Sequence, residues 1–143
     1  MNSKDISVAI FNTSDISGGA AKAAYRLHHA FMKNGIRSRY FVRDARSRAP
    51  EVVGVGVGDR MKRQLDIMMH ENYINDNRTG ISSTYFSSSF FGSANFTTDM
   101  LADFRVVNLH WIEEFLSLDI LNKLVASGKP VIWTLHDAKP FTG

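Results

Sequence analysis

Hydrophobic residues come in short runs and in spaced stripes along this chain, and the two alternate. Ile6, Val8, Ile10 and Phe11 form a run too short for a helix and rich in branched side chains, which predicts a strand at residues 6–11. Ala20, Ala24, Leu27 and Phe31 then recur at offsets of four, three and four, one stripe on a helix that Asn34-Gly35 closes with a left-handed stop. Residues 36–43 read as a second strand, with Arg37, Arg39 and Arg43 at one parity and so on one face. Residues 44–58 carry Pro50, Gly54, Gly56 and Gly58 and predict a connector with a short extended piece at 52–57. Asp59 can cap a following helix in which Met61, Leu65 and Met68 are expected to pack. From about 72 to 100 the chain is rich in Ser, Asn and Phe without a period. This predicts an irregular insertion whose Tyr85, Phe86, Phe90, Phe91 and Phe96 either pack against the sheet edge, the preferred reading, or line a substrate groove. Regular patterning returns with a strand at 104–109, a helix at 113–127 through Leu118, Leu121 and Leu124 or Val125, a stop at Gly128-Lys129-Pro130, and a strand at 131–135.

Strands alternating with helices predict an α/β fold, a Rossmann-like parallel sheet with helices on both faces. In such sheets ligands sit beyond the carboxyl ends of the strands. Three polar clusters fall at that edge: the turn from Ser14 to Gly19, then His110-Trp111, then His136-Asp137. Gly18 and Gly19 have no Cβ. They either only make the tight turn or also let a ligand approach the backbone, where free N–H groups at a helix start favour an anion.

Composition narrows the classes. At 143 residues and 44% hydrophobic content the chain can bury a sizeable core, and the absence of cysteine excludes disulfides and thiolate metal sites. The polar start is not a signal peptide, and no apolar stretch approaches membrane-spanning length, so a soluble cytoplasmic protein is expected. The net charge of +3 is unevenly placed: between Lys33 and Arg63 nine Lys or Arg face three acids. That basic stretch, 33–63, can meet phosphates or an anionic membrane surface, or simply be a solvated face. Nucleic acid fits it poorly, because no interleaved aromatics offer a stacking pattern.

The strand-end residues admit several chemistries. His110, His136 and Asp137 are metal-ligand types, but a His-Asp neighbour pair on one turn does not obviously converge on an ion. A nucleophilic triad lacks its Gly-x-Ser-x-Gly elbow. Asp44 lies near where a ribose-binding acid of a nicotinamide site would fall, yet Ser17-Gly18-Gly19-Ala20 does not match G-x-G-x-x-G, and the Gly54–Gly58 string lacks the Gly-Lys-Ser/Thr of a phosphate loop. His28, His29 and His70 sit on helices and read as structural, whereas position at the strand ends favours a functional role for His110 and His136.

Three stretches together carry a resemblance: N-T-S-D-I-S-G-G-A-A at 12–21, V-N-L-H-W at 107–111 and W-T-L-H-D-x-x-P-F-T-G at 133–143. They resemble the N-terminal domain of glycosyltransferase family 4, enzymes of the GT-B fold common in bacterial polysaccharide biosynthesis. The segments at 77–79 and 85–87 are similar to that subgroup as well. The resemblance implies retaining transfer of a sugar from a nucleotide-sugar to a saccharide or lipid-linked acceptor, with no catalytic metal and no cofactor beyond the nucleotide-sugar co-substrate. By position it implies that Gly18 and Gly19 face the donor diphosphate and that His136 contacts the transferred sugar. His110, Trp111 and Asp137 would then be substrate-binding. Residues 1–143 would be the acceptor-side part of the N-terminal domain, with the C-terminal nucleotide-sugar domain absent. The expectations are therefore an inactive piece when alone, and an exposed sheet edge. Peripheral contact at the inner membrane face would follow from the basic stretch. The competing expectation is a non-catalytic α/β binding module that uses that same stretch.

Overall fold

The first strand, β1 (Ser7–Ser14), is buried on both faces, and its alternation decides where the two layers of the core lie. Val8 and Ile10 point to one face with Tyr40, Val42 and Ala24; Ala9 and Phe11 point to the other with Phe41, Val107, Leu109, Phe115 and Leu124. A strand with apolar residues at both parities cannot face water on either side, so it becomes the centre of a parallel sheet. The computed structural model describes residues 6–56, 58, 60–80 and 88–138. Within these, α1 (Gly19–Lys33), β2 (Arg37–Asp44), β3 (Val52–Gly54), α2 (Arg60–Asn77), β4 (Val106–Leu109), α3 (Leu118–Ala126) and β5 (Val131–Trp133) follow β1. All strand pairs are parallel, in the order β3-β2-β1-β4-β5.

This is the expected α/β, Rossmann-like sheet. The chain steps outward through β2 and β3 on one side of β1, then returns to build β4 and β5 on the other. Right-handed crossovers in opposite directions put α1 on one face and α3 on the other. Ala20, Ala21 and Ala24 bring α1 close to the sheet, and Ile120 and Leu124 do the same for α3. Phe11 stacks on Phe41 with centroids 5.0 Å apart, and Phe96 and Phe104 meet that pair edge-on.

Several expectations are corrected. The helix expected from 113 starts only at Leu118, where the Ser117 side chain caps the Ile120 N–H; residues 113–116 form a turn with Glu114 in the left-handed region, at φ 53°. The strands expected at 104–109 and 131–135 are shorter, because Phe104 turns into the core beneath the Arg37 guanidinium and Thr134 makes the last ladder bond, to the Leu109 carbonyl. The irregular insertion begins later than residue 72, since α2 continues to Asn77, and it ends in a short 3-10 turn at Thr98–Leu101. Met61, Leu65 and Met68 are exposed, not packed, because α2 turns Ile67, His70 and Ile74 inward instead. Of the insertion's aromatics, Phe96 packs on the core and Phe91 against His70, while Phe90 is exposed. Tyr85, Phe86, the Asp59 cap, Val57 and the final P-F-T-G of the third motif lie outside the described residues.

Arg37, Arg39 and Arg43 do share one face of β2 with Phe41. Arg37 pairs with Asp103, Arg43 with Asp44 and Glu114, and Arg63 with Asp44, so part of the basic stretch is engaged in the fold. Along β5, no strand among the described residues pairs with the outer edge, and Ile132 and Trp133 are exposed there. None of the described helices is long and apolar enough to cross a membrane.

Candidate functional site

The strand order reverses between β1 and β4, and the crevice beyond their carboxyl ends is where an open parallel sheet offers a ligand site. Asn12, near the end of β1, is 2% exposed and ties this edge together. Its amide oxygen accepts the Trp111 N–H at 2.8 Å, and its amide nitrogen donates to the Ser14 carbonyl. Thr13 adds a backbone bond to the Trp111 carbonyl at 2.7 Å, and its hydroxyl donates to the Trp111 and Glu113 carbonyls. These bonds hold the segment after β4 against the end of β1, so Trp111 and Glu113 have a fixed place.

The turn leading into α1 is held from below. Asp15 is fully buried and accepts the N–H groups of Arg46 and Ser47 at 2.6–3.0 Å. Burial alone would raise its pKa; the bonds from Ser47 and Arg46 outweigh that and hold the carboxyl below its ordinary value. Asp15 thus pins the loop after β2 to the loop after β1. The Ser14 hydroxyl accepts the Ser17 N–H, and the Tyr40 hydroxyl donates to the Ser14 carbonyl, with burial pushing the Tyr40 pKa up. Gly18 has φ 90°, a conformation that side chains rarely adopt, and caps α1 without a side-chain bond.

His110 follows β4 and His136 follows β5. The register that sets Leu109 beside Trp133 brings the two imidazoles together, with His110 Nδ1 2.9 Å from His136 Nε2 and the rings stacked at 28°. One ring donates and the other accepts. His110 is 3% exposed, and its Nε2 has no partner among the described residues. Burial, reinforced by the charge of His136, lowers its pKa to about 4, so it is neutral at physiological pH. The Trp133 indole N–H donates to the His110 carbonyl at 3.0 Å.

Four of the six expected site residues therefore converge. His110, Trp111, His136 and Asp137 line one crevice together with Glu113 and Trp133, with a volume of about 10 Å³, room for about one water. Trp111 and Glu113 are also part of the wall of an adjoining cleft of about 230 Å³. Its other walls are Asn12, Thr13, Ser14, Ser17, Arg43, Asp44, Arg46 and Glu114. Gly18 and Gly19 sit on the same edge but line neither space; Ser17 stands in their place. Among the described residues no group of three His, Asp or Glu is arranged to hold a metal ion.

Sequence reasoning left Arg43, Arg46, Glu113 and Glu114 out of the site. The signal for the two acids was their position directly after the His110-Trp111 pair. Glu114 is fixed by three bonds to its carbonyl, from the Ser93 N–H, the Ser93 hydroxyl and Arg43, while its carboxylate takes the same guanidinium at 3.1 Å. That network holds a left-handed glutamate at the cleft, a conformation most residues avoid.

The fold and the strand-end site define an α/β protein with a polar, partly aromatic cleft at its topological switch point. No family model, curated protein or solved structure matches the chain.

Proposed function

We propose that this chain is the acceptor-side part of a retaining glycosyltransferase of family 4 type. The observation that carries the reading is the contact between His110 and His136 in a crevice that shares Trp111 and Glu113 with an adjoining cleft lined by amide, hydroxyl, carboxylate and guanidinium groups. Planar polar side chains beside an exposed indole suit a saccharide, whose hydroxyls need directed donors and acceptors and whose C–H faces lie well on an aromatic ring.

In the proposed reaction the bond from the sugar C1 to the donor diphosphate oxygen breaks. A bond from C1 to an acceptor hydroxyl oxygen forms on the same face, and the hydroxyl proton leaves with the diphosphate. His136, oriented by neutral His110, hydrogen-bonds a hydroxyl of the transferred sugar. The open start of α1 at Gly18 and Gly19 presents N–H groups to the diphosphate. The nucleotide itself is assigned to a second Rossmann-like half, so the chain alone is expected to bind a saccharide without turning over a nucleotide-sugar. A lipid-linked acceptor would bring the protein to the inner membrane face.

The two tryptophans of the chain, Trp111 and Trp133, both line the crevice, so intrinsic fluorescence reports on it directly. Titration with a panel of saccharides is expected to change that fluorescence saturably, and His136→Ala is expected to weaken the response about tenfold, the loss of one good hydrogen bond. A flat response across saccharides and nucleotide-sugars would remove the proposal.

A further inference from the structure

We infer that α2 is a two-fold docking surface for a second copy of this chain, with the two helices packed antiparallel. The helix turns His70, Ile67 and Ile74 toward its own domain and leaves Met61, Leu65, Met68, Met69 and Tyr73 exposed; Met61 is 74% exposed. Phe90 meets Tyr73 edge-on, with centroids 5.7 Å apart, and is 65% exposed itself, so the apolar stripe continues past the helix. Exposed apolar side chains clustered on one element, unlike singly scattered ones, are the pattern of an interaction surface.

The order of residues within the stripe identifies the occupant. Lys62, Leu65, Met69, Tyr73 and Asp76 are all exposed and follow each other in steps of three, four, four and three. At 100° per residue they fall within about 80° of arc on one helix face. The sequence of types is basic, apolar, apolar, aromatic, acidic, and it is symmetric in position about Met69. A two-fold axis through Met69 therefore sets Lys62 opposite Asp76 of the second copy, Leu65 opposite Tyr73, and Met69 opposite itself. An isologous interface requires that self-complementarity. A parallel arrangement would set like charges together. An anionic lipid surface fits less well, because Asp76 lies inside the stripe and Asp66 and Glu71 lie elsewhere on the helix. The inference does not depend on the glycosyltransferase reading.

The absence of cysteine makes the test clean. Met69→Cys, at the axis, is expected to form an intermolecular disulfide under mild oxidation. Met61→Cys is not, since eight residues from the axis on each copy leave the thiols roughly 24 Å apart, far beyond disulfide reach. In sedimentation velocity the wild-type chain is expected to dimerise with rising concentration. Lys62→Asp and Asp76→Lys are each expected to weaken the dimer about tenfold, and the double swap to restore it. A chain that stays monomeric throughout, or one in which Met61→Cys cross-links as fast as Met69→Cys, overturns the inference. So does a chain that is monomeric in solution and sediments with neutral or anionic vesicles, which would assign the stripe to lipid.

Discussion

Two histidines in this chain are buried as neutral rings, and that makes its stability depend on pH. His28 is fully buried on α1, bonded through Nδ1 to the Ser38 hydroxyl at 2.8 Å, and burial lowers its pKa from 6.5 to about 4. His110 is lowered to the same value, first by burial and then by the charge of His136. Both folded pKa values lie below the unfolded one, so the unfolded chain binds more protons between pH 6.5 and 4. The stabilisation is complete above pH 6.5 and is lost as pH falls toward 4. Each ring can contribute up to about 3 kcal/mol of that loss at the acid end. Urea unfolding at a series of pH values is expected to show the midpoint falling through this window, with a shallower fall in His28→Gln; a midpoint that is flat between pH 7 and 5 would contradict the burial argument. The sequence reading of His28 as a structural residue rested on its place on a helix, and the Ser38 bond gives that reading its physical content. For His110 and His136 the sequence revealed position at strand ends but not contact. Twenty-six residues separate them, and only the pairing of β4 with β5 joins them.

Elements with an unbroken pattern were legible; those governed by a turn were not. The β1–turn–α1 unit follows from an apolar run, two glycines and a helical stripe, and the structure reproduces it with Gly18 at φ 90°. A Cβ at Gly18 would meet nothing within 4 Å, so Gly18→Ala carries only the backbone cost of φ 90° with ψ 172°, an extended positive-φ conformation that is essentially glycine's alone. Thermal or urea unfolding is expected to show a loss of about 1–3 kcal/mol, and no loss would mean that the turn rearranges freely. The start of α3 was misread because Glu113 and Glu114 have high helix propensity. Tertiary bonds from Ser93 and Arg43 hold Glu114 out of the helical region and delay the helix to Leu118, with Ser117 as its cap. In α2 the spacing of methionines signalled a helix correctly, but periodicity cannot say which side of a helix faces the core. The inward face is set by His70, Ile67 and Ile74, and the methionines are left outside.

At the scale of the whole molecule, a five-stranded parallel sheet gathers the carboxyl ends of all its strands at one edge, and the site is made by the segments at the ends of four of them, β1, β2, β4 and β5. The fold class was legible because strand and helix patterns alternate. The lining of the cleft was not, since Arg43, Arg46 and Glu114 reach it through ion pairs and loop contacts that no local pattern encodes. The central claim is that the strand-end histidine pair handles a sugar. The most direct measurement is the imidazole ¹⁵N spectrum of His110 and His136 recorded as a saccharide is titrated in. The account predicts saturable shifts in the nitrogens of both rings, with the buried His28 unchanged as an internal control. Resonances of His110 and His136 that stay fixed at saturating saccharide, or that move no more than those of His28, would contradict it.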